Sequence, residues 1–190
     1  MDPVQDPDED LVRRAGEGDR RAAAELVRRH TPIMVALAER MLRDRAEAED
    51  VAQEVFLRVW RDAAKWKPGQ ARFSTWMHRV AMNLCLDRLR KPKSAPLDAA
   101  PEPVDPSASA SRDLIERQRG AEVRAAVGDL PERQRAALVL CHFQELSNIE
   151  AASILDVSVE ALESLLARGR RNLKAKLLER RSELLEGGGA

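Results

Sequence analysis

A chain of 190 residues has room for one ordinary domain or two small ones. Thirty-two basic residues cancel thirty-two acidic ones, a neutrality that argues against a uniformly basic nucleic-acid binder, while 44% apolar residues suffice for a packed core. With 29 Ala and 23 Leu but two Thr, four Ile and no Tyr, the chain has little to build sheets from, and the expected fold is all-α.

The head of the chain is acidic: Asp2, Asp6, Asp8, Glu9 and Asp10 are the opposite of a signal or transit peptide. Leu11, Val12 and Ala15 suit a short first helix. A second follows on the 3–4 spacing of Leu26, Val27, Ile33, Leu37, Met41 and Leu42, with a kink or break expected near Thr31 because Pro32 interrupts it. Ala46 to Trp60 reads as a third, apolar at Val51, Val55, Phe56, Val59 and Trp60. Pro68-Gly69 marks a loop. Ser74 suits the N-cap of a fourth helix reaching about Arg90, with Met77, Val80, Ala81, Leu84 and Leu89 inward.

Half of the ten prolines fall between Pro92 and Pro106, and 92–111 has no hydrophobic period, so it reads as an extended linker. It divides the chain into 1–91 and 112–190. Beyond it a helix is expected from about Arg112 to Val127, then a new start at Asp129-Leu130-Pro131-Glu132. Ser147-Asn148-Ile149-Glu150 fits a capping box opening a helix of about eight residues. After Asp156-Val157-Ser158 a long helix runs from Val159 towards Leu185, with Leu162, Leu166, Leu173 and Leu177 buried. A short helix, a three-residue turn and a longer helix is helix-turn-helix geometry. Asp156 stands at the turn position where a left-handed backbone is needed, which Asp tolerates.

Zero net charge is an average over unlike pieces. Residues 1–10 carry −5, 11–91 carry +7, the linker −2 and 112–190 zero. Lys65 to Lys93 holds eight basic residues and one acid, interleaved with Trp66, Phe73 and Trp76, which supplies charge for a phosphate backbone and π faces for unpaired bases. Arg168 to Arg181 has seven basic residues against Glu179. Cys85 and Cys141 have neither disulfide-framework nor zinc-ligand spacing, which suits reduced thiols in the cytoplasm. No run approaches the ~18 apolar residues of a membrane span. The histidines His30, His78 and His142 lie in separate segments without a nucleophile or metal partner, so neither an enzyme nor a metal or cofactor site is expected. Read by themselves, these features leave open a stand-alone helix-turn-helix regulator and a helical interaction module.

Ala48-Glu-Asp50-Val-Ala-Gln53-Glu54-Val-Phe-Leu57-Arg-Val-Trp60, with Phe73-Ser-Thr-Trp76-Met-His-Arg79-Val-Ala-Met-Asn83-Leu-Cys-Leu-Asp87-Arg88-Leu-Arg90, resembles region 2 of a bacterial extracytoplasmic-function (ECF) sigma factor of the sigma-70 family. Leu130-Pro131-Glu-Arg133-Gln134-Arg135, Glu145-Leu146-Ser147 and Val157-Ser158-Val159 through Arg168-Gly-Arg170-Arg171 resemble the matching region 4. The resemblance covers nearly the whole chain and implies an alternative sigma factor with a role in stress response. On that reading Asp50, Gln53, Glu54 and Leu57 dock on the β′ coiled coil of core RNA polymerase, and region 4 on the β flap. Lys65, Trp66, Lys67, Phe73, Trp76, Arg79, Asn83, Arg88 and Arg90 read the melted −10 element. Ser158, Glu160, Ala161, Ser164, Arg168, Arg170 and Arg171 meet the −35 duplex. The acids Asp98, Glu102 and Asp105 suit a linker threaded into the polymerase, and the family implies an anti-sigma factor as inhibitor. The recognition helix departs from the family pattern in carrying Glu160, Ala161, Glu163 and Leu165.

Overall fold

The structure, a computed structural model, describes residues 6–62, 72–91 and 112–187, with side chains over 120–180 in the last segment. Every regular element among these is helical. The first block holds α1 (Glu9–Gly16), α2 (Arg20–Leu42), α3 (Arg45–Asp62) and α4 (Phe73–Arg90). The second holds α5 (Arg112–Gly128), α6 (Glu132–Leu138), a π turn (Val139–Phe143), α7 (Asn148–Leu155) and α8 (Val159–Gly187).

α2 is the central rod of the first block. Asp19 caps it, accepting from the amides of Arg21 at 2.8 Å and Ala22 at 3.2 Å, and Arg14 holds that carboxylate at 2.6 Å. Pro32 does not end it, so of the kink or break expected there the break is absent. An interior proline costs about 3 kcal/mol, but Leu26, Met34, Leu37 and Met41 are fully buried on one face. Each such side chain returns about 1.5–3 kcal/mol, so burial outweighs the break. Val27 and Ile33 lie off that face and stay more than a third exposed, although the spacing assigned them to the core. Against α2 pack Val51, Val55 and Val59 of α3 and Phe73, Met77 and Met82 of α4.

α4 begins two residues earlier than the sequence suggests. Arg72 occupies the N-cap position without a side-chain bond, and Ser74 lies inside the first turn. The cap comes instead from Asp6, whose carboxylate accepts the Phe73 amide. The acidic head has a structural use at a second point: buried Asp8 accepts from His30 Nε2 at 2.8 Å and pairs with Arg29 at 3.1 Å.

The second block follows the sequence closely. Both halves of the Ser147–Glu150 capping box form, α7 ends after eight residues, and Asp156 adopts the left-handed conformation at φ 53°. Gly169 allows α8 to cross near α6, since a Cβ there would stand 3.1 Å from Leu138 Cδ1. Leu162 and Leu166 anchor α8, while Leu165 packs at the margin of the core.

The two blocks touch, and one buried cluster runs from Met41 and Leu42 to Val127, Leu130 and Leu138. Both cysteines are free. Burial pushes the Cys85 thiol up to about 12 and raises that of half-buried Cys141. Mass-spectrometric labelling of the native chain at pH 8 is therefore expected to modify Cys141 and spare Cys85, which reacts only on unfolding. Equal native rates at the two thiols would contradict this packing.

Candidate functional site

Three outward surfaces carry the polar residues singled out above. The first lies on α3, where Asp50, Gln53, Glu54 and Leu57 share one flank. Glu54 is held by Arg58 at 2.7 Å, and Leu57 is 68% exposed. Between α2 and α3 runs an open groove floored by Val35, Ala52 and Phe56 and edged by Val27, Leu57 and Trp60. Phe56 and Trp60 stack at 6.1 Å. A large aliphatic side chain projecting beside an apolar groove is the form of a protein docking surface. The sequence left Val27 and Trp60 in the core.

The second surface is α4. At 100° per residue Trp76, Arg79, Asn83 and Arg90 fall within about 60° of one another. Arg79 and Asn83 are exposed, Trp76 is partly buried against Phe73 at 5.8 Å, and Arg90 is loosely paired with Asp87 at 3.7 Å. Two expected members do not belong to this surface. Phe73 is fully buried, its ring edge-on to His30 at 5.8 Å, so it is a core residue with no face for a base. Arg88 turns towards α3, donating to the Glu47 carbonyl at 2.8 Å with Glu54 at 3.8 Å. Its positive charge braces the helix pair. Lys65, Trp66, Lys67 and Pro68-Gly69 lie outside the described residues.

The third surface is the start of α8. Ser158 Oγ accepts the Ala161 amide at 3.2 Å, so this hydroxyl is engaged as a cap. Glu160, Ala161, Ser164, Arg168 and Arg171 are exposed and lie within an arc of about 100°. The Glu160 carboxylate is held below its usual range by its own backbone amide and by Ser158, and stays charged. Arg168 donates to the Ser164 carbonyl at 3.2 Å. Arg170 falls outside the arc, on the side from which its charge acts on Cys141.

The histidines are structural or exposed. His78 is buried, which favours its neutral form, with Nδ1 donating to the Ser74 carbonyl at 2.7 Å. His142 is exposed. Among the described residues no cluster of His, Cys, Asp and Glu could hold a metal, and no helix is long and apolar enough to cross a membrane.

The family description Sigma-70 region 2 matches residues 26–94, and Sigma-70, region 4 matches residues 120–173. The ECF RNA polymerase sigma factor SigW of Bacillus subtilis is 30% identical over 177 residues, covering 87% of this chain and 94% of the relative. The chain belongs to the ECF sigma factors. SigE of Mycolicibacterium smegmatis is 35% identical over 163 residues, 84% of this sigma factor and 63% of that longer relative. Among solved structures, CnrH in complex with the cytosolic domain of CnrY superposes with a TM-score of 0.68 at 27% identity, over 91% of this sigma factor and 97% of that chain. In this sigma factor α3 and α4 lie within the region 2 match, and α6, α7 and the basic start of α8 within the region 4 match.

Proposed function

We propose that this sigma factor recruits core RNA polymerase to a set of promoters, with 1–91 and 112–190 as its two working units and 92–111 as the tether. The exposed flank of α3, with Leu57 beside the apolar groove, is the surface for the β′ coiled coil. The outward face of α4 follows the melted −10 strand through Trp76, Arg79, Asn83 and Arg90, continuing the basic stretch Lys65–Lys67. Ser164, Arg168 and Arg171 on α8 approach the −35 duplex, where Glu160 repels phosphate and can accept from a cytosine amino group. The second unit also meets the β flap. The chain works in the cytoplasm, without catalysis of its own and without a cofactor.

The observation that carries this reading is the placing of an aromatic-and-basic face on α4 beside a docking flank on α3. A nucleic-acid face alone would suit a stand-alone regulator; the adjoining docking flank favours a polymerase subunit. An anti-sigma factor is the fitting inhibitor; the similar chain CnrH is held in a complex with a protein partner, the cytosolic domain of CnrY. Run-off transcription with purified core polymerase on a genomic promoter library tests the function. Discrete starts that depend on this chain are expected; their absence overturns the reading.

A further inference from the structure

Glu160 and Glu163 both stand on the first turns of α8, the part of a helix-turn-helix reader that meets base edges. The fold treats them differently. Glu163 is drawn to α7, where Asn148 Nδ2 donates to its carboxylate at 3.4 Å. Asn148 is itself fixed from behind, its side-chain oxygen accepting from Cys141 Sγ at 3.8 Å. Glu160 lies instead on the outermost line of the helix. At 100° per residue Glu160, Ser164, Ala167 and Arg171 fall within about 60° of one another, and all four are exposed. The Ser158 hydroxyl that caps α8 at the Ala161 amide also donates to the Glu160 carboxylate, so the charge is anchored at the root of the helix.

An ionised carboxylate accepts hydrogen bonds and donates none. In the major groove guanine shows it N7 and O6 and thymine shows it O4, acceptors that repel it. Adenine offers an amino group beside the acceptor N7, whereas cytosine offers its N4 amino group without one. Cytosine is the base that an anchored carboxylate favours. The rest of the outer line agrees with a base contact at this end. Ser164 and Ala167 are small and let the first turns come close, while Arg168 folds back onto the Ser164 carbonyl at 3.2 Å. Arg171 stands about 16 Å further along the axis at 1.5 Å per residue, with Lys174 one turn beyond. Cations there suit phosphates, which set affinity, and leave sequence to the side chains at the start. A carboxylate in the groove weakens binding to every duplex and recovers the loss only where an amino group meets it. It discriminates by exclusion.

We propose that Glu160 is a specificity-determining residue of the −35 contact, selecting cytosine at one position of the element, and that Glu163, tied to Asn148, takes no part in the selection. The inference rests on the sigma-factor reading and deepens it.

Two selections with the full chain test it. In one, holoenzyme made with purified core polymerase transcribes a promoter library randomised over the −35 element. In the other, the free chain at low salt selects from duplexes carrying the same randomised segment. Cytosine is expected at one position, favoured about tenfold over the other bases. Glu160→Gln should transfer that preference to adenine, whose N6 and N7 a carboxamide pairs in bidentate fashion. Glu160→Ala should erase the preference at that position alone and tighten binding to unrelated duplex. Glu163→Gln should leave the cytosine in place. A role for Glu160 confined to the cap of α8 would move helix stability and leave the base preference where it was. Specific transcripts whose −35 preference is the same in Glu160→Gln overturn the proposal. A cytosine preference that follows Glu160 in the duplex selection, without any promoter-specific transcript, keeps the base contact and sinks the sigma-factor reading. No sequence preference in either selection overturns both.

Discussion

Phe73→Ala is expected to destabilise the first block by about 3–5 kcal/mol, the cost of emptying a fully buried aromatic site. With a urea dependence of about 2 kcal/mol per molar, the unfolding midpoint should fall by about 2 M. The neighbouring change Trp76→Ala separates the roles of the two rings. Trp76 is partly exposed and adds only its outer contacts to the core, so stability should be largely kept. What it should lose is affinity of the holoenzyme for a melted −10 strand, by about 1–3 kcal/mol if one base stacks on it. Urea titration of the free protein and strand binding by the holoenzyme check both arms. Comparable stability losses in the two variants would contradict the assignment of Phe73 to the core and Trp76 to the surface.

Leu57→Asp is expected to weaken binding of core polymerase by about 100-fold, about 2.7 kcal/mol, with the helical fold unchanged. The size follows from replacing an aliphatic anchor, now 68% exposed, by a charge that an apolar partner cannot solvate. Asp50→Ala, at the edge of the same flank, should cost much less because rim charges are screened. Fluorescence anisotropy with labelled chain and purified core polymerase measures both. Wild-type affinity of the Leu57 variant would remove α3 from the docking surface.

Much of this was legible from residue order. The capping box at Ser147–Glu150, the left-handed Asp156 and the start of α8 at Val159 are local devices, settled within a few residues, and the structure has all three. The all-α fold followed from a composition short of strand formers. Long-range effects were not legible. Pro32 predicts a break until the buried flank of α2 is known, and the amide at the start of α4 finds Asp6 from 67 residues away. Phe73 and Trp76 are three positions apart with similar chemistry, so only tertiary packing separates a core ring from a surface one. Arg88 looks like a strand-binding cation in a basic run, and its carbonyl partner on α3 becomes visible only in three dimensions. The linker composition suggested independent blocks; the charges and carbonyls that tie them sit singly at helix ends, where no period betrays them.

The continuity of the buried cluster between the blocks, where buried Arg135 of α6 donates to the Met41 carbonyl at the end of α2, governs how the chain melts. Because the guanidinium of one block satisfies an orphan carbonyl of the other, and the buried cluster is continuous between them, each half is reinforced by the other. A calorimetric scan then reports the molecule as one cooperative unit. Either half expressed alone exposes what its counterpart had covered. The measured stability of a fragment is therefore a property of the cut, not a share of the whole.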